Sequence, residues 1–194
     1  MQNMVFGKKC LFALLTLALT VRIYGKDRTM SHELFPTQKE PTPSEWQQFL
    51  GSSEKIRQEL WEFHHRKGRQ LRDWSWQWRI AWVRVCSASQ LEYCSRIITQ
   101  GLADPAMVVR AEAANRIGDR FYGTKNQFPN AVQVLINAYP HPENNRHGVP
   151  MFVKFRILEA LQRIGGSSAR DQGKKLAARH PETMKYWEQI APSS

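Results

Sequence analysis

A seven-residue segment occurs twice in this chain of 194 residues, and the repetition limits the fold more than any other feature. Glu112–Gly118 and Glu159–Gly165 are identical at five of seven positions and conservatively related at the other two. The copies are 47 residues apart, a spacing typical of helical repeat arrays. Each copy places small residues beside a core isoleucine and ends in a glycine that we expect to end its helix. The repeat therefore predicts an array of stacked helices.

Helix start and stop signals extend this prediction along the chain. Thr42–Glu45 is a capping box with proline at the first helical position, and Ser53 can cap the next helix. We expect a third helix from about Leu71 to Cys86, a fourth opened by a capping box at Ser89–Glu92, and a fifth from Asp104 to Gly118. Further helices are expected at Asn130–Ala138, Pro150–Ile164, Ala169–Arg179 and Pro181–Ile190. No strand alternation or hairpin turn signal occurs, so the chain is predicted to be all-α.

The first copy belongs to a longer pattern, Leu102–Asp119. Its order is an Asp-Pro helix start at Asp104, a Val-Arg pair ending at Arg110, a stretch of small residues and an Ile-Gly end at Gly118. This segment resembles the HEAT-like, armadillo-type helical repeat that also occurs in bilin-lyase relatives. The second copy resembles it less closely and ends at Gly165.

The resemblance implies a right-handed α-solenoid of HEAT-like helix pairs, an armadillo-like superhelix with few repeats, clearest at 104–118 and 150–165. It also implies structural roles for two residues of this chain. By resemblance to the family, Asp104 is expected to cap a helix and Arg110 to bridge neighbouring repeats. Neither residue is expected to be catalytic.

The N-terminal region has the composition of a leader. Lys8 and Lys9 precede an apolar run from Cys10 to Val21, which has the dimensions of a secretory signal peptide and is short for a membrane-spanning helix. We predict a signal peptide or leader at 1–25, a proline-rich extended lead at 26–42 and the HEAT-like repeat domain at 43–194.

Two localisations follow from two start sites. A genuine signal peptide would export the protein to the periplasm or the medium. Translation from Met30 is the alternative and would leave the protein in the cytoplasm.

The formal net charge of +11 suggests anionic partners. The leader holds three of these cations and no carboxylate, so its removal would leave +8. The densest remaining cluster is Arg66, Lys67, Arg69 and Arg72. We favour a solvated helix junction here and keep the cluster as a candidate anion- or partner-binding patch.

Five of the seven tryptophans lie between residues 61 and 82, on both sides of that patch. Aromatic rings beside cations suit nucleic acids, because the rings stack on bases and the cations neutralise phosphates. They also suit an anionic membrane surface. However, Leu71, Trp74, Trp78, Trp82 and Val85 follow helical spacing on one face. We therefore predict that this tryptophan stripe packs in the core.

Cysteines and histidines give few chemical signals. An antiparallel turn at Ser89 could bring Cys86 and Cys94 together, so they are a candidate disulfide in an exported protein. In the cytosol they would be two small buried side chains. The six histidines lack metal-ligand spacing, and we find no motif of an enzyme. We predict no catalytic residue, metal or cofactor, and no small-molecule substrate is evident.

These features favour a non-catalytic interaction or scaffold protein that holds another protein on its concave face. The alternative, with a start at Met30, is a HEAT-like nucleic-acid-binding protein similar in kind to DNA alkylation-repair glycosylases. A bilin-lyase-like protein is a third hypothesis, based on repeat similarity alone. A membrane surface is the least favoured partner.

Overall fold

The computed structural model describes residues 38–89, 91–123 and 130–191, with 120–123 described by their backbone alone. The predicted leader and most of the predicted lead lie outside the described residues. Within them the chain forms nine α-helices, two 3₁₀ turns and one short hairpin. The helices are α1 (Pro43–Leu50), α2 (Glu54–Arg66), α3 (Trp76–Ser87), α4 (Glu92–Gly101), α5 (Met107–Gly123), α6 (Ala131–Ala138), α7 (Phe152–Ile164), α8 (Gly166–Ala177) and α9 (Pro181–Ile190). None of these described helices is both long and apolar enough to cross a membrane.

The described chain is mostly helical, as the sequence predicts, and its first helices begin at the predicted caps. Thr42 Oγ1 accepts a hydrogen bond from the Glu45 backbone N–H at 3.3 Å, and the Glu45 carboxylate accepts one from the Thr42 N–H at 2.7 Å. Ser53 caps α2 by accepting from the Ile56 N–H at 3.3 Å. The capping-box prediction for α1 and the cap prediction for α2 are confirmed.

The third helix begins later than predicted. Leu71–Asp73 form a 3₁₀ turn, closed by a 3.0 Å hydrogen bond from the Gln70 N–H to the Asp73 carboxylate. The backbone is extended at Trp74, and α3 starts at Trp76. A local hydrogen bond from backbone to side chain thus replaces the first predicted helical turn.

The capping box predicted at Ser89 is wrong. Leu91 is the N-cap of α4, and no side chain caps that helix. Ser89 Oγ instead accepts from the Leu91 N–H at 3.2 Å and donates to the carboxylate of Glu54. The serine therefore ties the turn between α3 and α4 to the start of α2.

The two glycines of the repeat have different roles. α5 continues past Gly118 to Gly123, so the prediction that Gly118 ends this helix is wrong. A Cβ at Gly118 would lie 2.8 Å from the Cα of Ala160, so glycine permits close approach of α5 and α7. Gly165 does end α7, with a φ of +72° that L side chains rarely adopt.

The prediction of a chain without strands is wrong in one place. β1 (Asn145–Arg146) pairs antiparallel with β2 (Val149–Pro150). The two residues between them, His147 and Gly148, have φ of +51° and +80°, as a two-residue hairpin turn of type I′ requires. This hairpin takes up Pro150, so α7 begins at Phe152.

Three helices of the fold, α3, α5 and α7, lie side by side and run parallel. α5 packs against both others, and its interface with α7 is the largest between any two described helices. Hydrogen-bonded residues occur in the same order along neighbouring helices, which shows that the helices are parallel. Arg79–Asp104 and Arg84–Glu112 connect α3 with α5 and the segment before it, and Arg110–Asn144 and Asp119–Arg163 connect α5 with α7 and the segment before it. α4 packs against α3 and α5, α6 against α5 and α7, α8 against α7, and α9 against α7 and α8.

The tryptophan stripe lies in the core. Trp74, Trp78 and Trp82 are all buried, and Trp78 is only 1% exposed. The Phe49 ring of α1 meets the Trp78 and Trp82 rings edge-on, at centroid distances of 5.6 and 5.0 Å. Core packing is therefore confirmed for the three tryptophans and Val85, whereas Leu71 is half-buried in the 3₁₀ turn.

Candidate functional site

The structure divides the predicted patch of Arg66, Lys67, Arg69 and Arg72 in two. Arg66 and Lys67 lie exposed at the end of α2, with the Lys67 ammonium 5.9 Å from the centroid of the Phe63 ring. Arg69 and Arg72 instead line a cleft formed by α2, the 3₁₀ turn, α3, α4 and the segment leading into α5. We call it the arginine cleft.

The arginine cleft has a volume of about 540 Å³, within the usual range for small-molecule sites. Its polar lining includes His65, Arg69, Gln70, Arg72, Arg96 and Gln100. Its apolar lining includes Trp61 of α2 and Leu71 of the 3₁₀ turn. Elements distant in sequence therefore contribute both cations and apolar surface to one concavity.

A buried ion pair forms part of the cleft lining. Arg79 of α3 donates two hydrogen bonds to the carboxylate of Asp104, at 2.6 and 2.9 Å. The same carboxylate accepts from the Ala106 N–H at 2.8 Å, and Arg79 also donates to the Trp74 carbonyl oxygen. Both charged side chains are less than a tenth exposed. The two charges compensate each other, so this part of the lining adds no net charge.

The exposed part of the cleft is positively charged. Arg69, Arg72 and Arg96 are all exposed, and the carboxylate nearest Arg72 is Asp73 at 4.0 Å, itself about half exposed. Within the described ranges 38–89, 91–123 and 130–191, Arg69 and Arg96 have no carboxylate within ion-pair distance. A ligand entering the cleft would meet uncompensated guanidinium groups.

Sequence reasoning missed Arg79 and Arg96. Arg79 could have been found, because a cation that lies between Trp78 and Ile80 in an otherwise apolar helix turn requires a buried partner. Arg96 carries no comparable signal, since only the turn between α3 and α4 brings it to the same cleft as Arg72.

An aromatic stack supports one wall of the cleft. The Trp61 ring lies parallel to the Tyr93 ring, with centroids 5.2 Å apart and planes 8° from parallel. The Trp61 ring also meets Trp82 edge-on at 5.6 Å. Burial raises the pKa of Tyr93 to about 12, so its hydroxyl is neutral at physiological pH. The stack holds the half-buried Trp61 against α4.

Cys86 and Cys94 form a disulfide beside this wall. Their Cα atoms are 4.7 Å apart, and both residues are buried. The bond connects the last turn of α3 to the first turn of α4. It therefore fixes the helix that carries Arg96.

Ion pairs between helices lie on the solvent side of α3, α5 and α7. We call this surface the shared face, and it is formed by Arg84, Glu112, Arg116, Asp119 and Arg163. Glu112 of α5 accepts hydrogen bonds from Arg84 of α3 and from Arg116, each at 2.9 Å. Arg163 of α7 donates to the carboxylate of Asp119, which also pairs with Arg116 at 3.5 Å. These partly exposed pairs connect all three helices.

The second copy of the repeat uses its glutamate in a similar way. Glu159 occupies the repeat position of Glu112 and accepts from Arg156 at 2.6 Å. It also accepts from the hydroxyl of Tyr186 in α9. Partial burial, followed by the hydrogen bond to Glu159, raises the pKa of Tyr186 to about 12. In both copies this glutamate accepts hydrogen bonds from side chains of two helices.

Exposed apolar side chains lie at one end of the same three helices. Trp76, Val108 and Phe152 are each in the first turn of α3, α5 or α7, and they are 43–46% exposed. Because the three helices run parallel, these residues occupy corresponding ends. The Arg156 guanidinium lies 4.5 Å from the centroid of the Phe152 ring.

Arg110 joins α5 to the segment before α7. Its guanidinium donates to Asn144 Oδ1 at 2.9 Å, to the Glu143 carboxylate and carbonyl oxygen at 3.0 Å each, and to the carbonyl oxygens of Asp104 and Pro105. The side chain is buried. All of its contacts are within the fold, so Arg110 offers no donor to a ligand.

The part of the chain that the structure describes holds no group of three histidine, cysteine or carboxylate side chains placed to bind a metal ion. His141 precedes the 3₁₀ turn, His147 lies in the hairpin turn, and His65 is the one histidine among the described residues that line the arginine cleft.

Comparison with models of protein families, with curated proteins and with solved structures finds no match for this chain. The function is therefore inferred from the chemistry of the shared face and the arginine cleft.

Proposed function

We propose that this protein is a short right-handed α-solenoid of HEAT-like helix pairs that acts as a non-catalytic interaction protein. In this arrangement α3, α5 and α7 form an inner row, and α4, α6 and α8 are their outer partners. The parallel row, the packing of each second helix against it and the repeated Glu-Arg positions support this assignment. The shared face is then the concave surface on which another protein binds.

One observation carries this proposal: large apolar side chains are exposed at corresponding ends of the three helices of the row. Trp76, Val108 and Phe152 are nearly half exposed although each lies in the first turn of a helix that has a buried face. Aromatic residues and arginine are the residue types enriched in protein interfaces. A partner covering these ends and the adjacent arginines would bury the apolar surface that now faces water.

The charge of the shared face favours a protein over a nucleic acid. Arg84, Arg116 and Arg163 contact carboxylates on the same surface, so few cations remain to neutralise phosphates. Of the five tryptophans that suggested base stacking, Trp74, Trp78 and Trp82 are buried, whereas Trp61 is half-buried in the lining of the arginine cleft and Trp76 is 43% exposed. Among the described residues, the arginine cleft is the main support for the nucleic-acid hypothesis, because it places cations beside Trp61.

Site-specific photo-crosslinking in the natural host tests the proposal. A photoreactive amino acid at Val108 should give one discrete adduct with a partner protein, whereas the same probe at the exposed Lys175 of α8 should not. The partner, identified by mass spectrometry and purified, should then bind the purified chain directly.

Substitutions of the exposed aromatic residues at the helix ends should weaken that binding. Trp76→Ala combined with Phe152→Ala should raise Kd by roughly tenfold or more, as truncation of aromatic interface residues commonly does. Lys175→Ala is the matched exposed control and should leave Kd unchanged. Equal adducts from positions 108 and 175, or a Kd insensitive to both aromatic substitutions, would show that the shared face is not the interface.

A further inference from the structure

We propose that the arginine cleft binds a small organic anion. Its phosphate or carboxylate group lies among Arg69, Arg72 and Arg96, and its apolar, flat body lies against Trp61 and Leu71. This site is separate from the shared face and does not depend on the function proposed for it.

The distribution of charge around the cleft defines the polar end of the ligand. Arg69 and Arg72 come from the segment between α2 and α3, and Arg96 comes from α4. Guanidinium groups bind phosphates and carboxylates through paired, charge-assisted hydrogen bonds. Both oxygens of Asp104 are already engaged by Arg79, so the buried carboxylate does not draw the exposed arginines away from a ligand.

The wall beside these arginines defines the rest of the ligand. Trp61 is half-buried, lines the cleft and is held by its stack on Tyr93. Leu71 adds apolar surface from the 3₁₀ turn. A bare phosphate would leave this surface exposed to water, whereas an aromatic or aliphatic body would cover it. A flat ring suits the face of a fixed indole.

The size of the concavity favours a small molecule over a polymer. Its volume of about 540 Å³ fits a ligand of a few fused or linked rings. Gln70 and Gln100 add side-chain amides that can donate to further ligand oxygens. A nucleic-acid duplex would need cations spread over a longer surface, and the arginines of the shared face are already paired.

Isothermal titration calorimetry with four probes at low ionic strength tests the inference. Phenyl phosphate and benzoate carry both the anion and the ring, inorganic phosphate carries only the anion, and benzyl alcohol only the ring. Phenyl phosphate or benzoate should bind at one site, and the stronger of the two identifies the anion. Inorganic phosphate and benzyl alcohol should each bind at least tenfold more weakly.

Charge-removing variants locate the site. Arg96→Gln and Arg72→Gln should each raise the Kd of the aromatic anion about tenfold, the size expected for one lost charge-assisted hydrogen bond. Arg170→Gln removes one exposed charge from α8 and should leave Kd unchanged. All three residues are exposed, so the melting temperatures of the variants should match the parent and separate lost binding from lost folding.

Three results would overturn the inference. One is the absence of binding by both aromatic anions at millimolar concentration. Another is an equal loss of affinity in Arg170→Gln, which would indicate attraction to net charge alone. The third is duplex DNA that binds with dependence on Arg69 and Arg72 while both aromatic anions fail, which would assign the cleft to nucleic acid.

Discussion

At the scale of single residues, the buried charges of this protein lie where one helix meets the next. Arg79 connects α3 to the start of α5 through Asp104, and Arg110 connects α5 to the segment before α7 through Asn144. A buried cation without acceptors would cost several kcal/mol, and both arginines are surrounded by acceptors. The spacing of the parallel helices is therefore fixed by directional hydrogen bonds as well as by apolar packing.

Loss of the Asp104 carboxylate should destabilise the fold severely. Asp104→Ala should lower the free energy of unfolding by about 3–5 kcal/mol, because Arg79 would keep its charge in the core without a counterion. Urea denaturation at pH 7 measures the change. Glu143→Ala is the matched control: Glu143 also pairs with a buried arginine, but its side chain is 59% exposed. An Asp104→Ala variant no less stable than Glu143→Ala would contradict a structural role for the buried pair.

The core position of the tryptophan stripe makes a second residue-level prediction. Trp78→Ala should cost about 3–5 kcal/mol of unfolding free energy, since truncation of a buried aromatic side chain leaves a cavity. Trp78 packs edge-on against Phe49 of α1, so α1 should lose its docking site. Trp76→Ala, two residues away and 43% exposed, should change stability by less than about 1 kcal/mol. Thermal unfolding measures the stability of both variants. Equal losses of stability in Trp78→Ala and Trp76→Ala would contradict the difference in burial.

At the scale of elements, periodicity predicted which segments are helical, but not where several helices begin and end. The starts of α1 and α2 follow from local caps at Thr42 and Ser53. Such caps involve residues close together in the chain, so they can be predicted from the sequence. Ser89 has the residue type of a cap but donates to Glu54 in another helix. Gly118 has the residue type of a helix end but fits against Ala160. In both cases a distant contact decides between two local options.

A substitution at Gly118 tests whether the contact with Ala160 requires glycine at this position. Gly118→Ala should favour an isolated helix but destabilise the protein by about 1–3 kcal/mol, the usual cost of overpacking a tight interface. The added Cβ would lie 2.8 Å from the Cα of Ala160, and backbone cannot move aside as a side chain can. Gly51→Ala is the control, because its Cβ would meet only one carbonyl oxygen at 3.3 Å. A stabilised Gly118→Ala protein in chemical denaturation would disprove the close approach.

At the scale of the whole molecule, only part of the candidate cleft could be predicted from sequence. Arg69 and Arg72 belong to one charge-rich run, so local composition found them. Arg96, Trp61 and the Arg79–Asp104 pair join them only through the packing of separate helices. The Cys86–Cys94 disulfide fixes α4 beside α3, and α4 carries Arg96. The disulfide and the packing of α4 against α3 and α5 together hold Arg96 at the cleft.

The disulfide and the predicted leader make one joint prediction. A persistent disulfide requires an oxidising compartment, so the natural protein should begin near Lys26, after cleavage of the leader, and should carry Cys86 and Cys94 without free thiols. Mass spectrometry of the isolated protein after thiol alkylation measures both properties. In the purified protein, Cys86→Ala with Cys94→Ala should lower the free energy of unfolding by about 2–3 kcal/mol, as expected for a short closed loop. A natural N-terminus at Met30 with two alkylated cysteines would contradict export. It would instead support the cytoplasmic location that the nucleic-acid hypothesis requires.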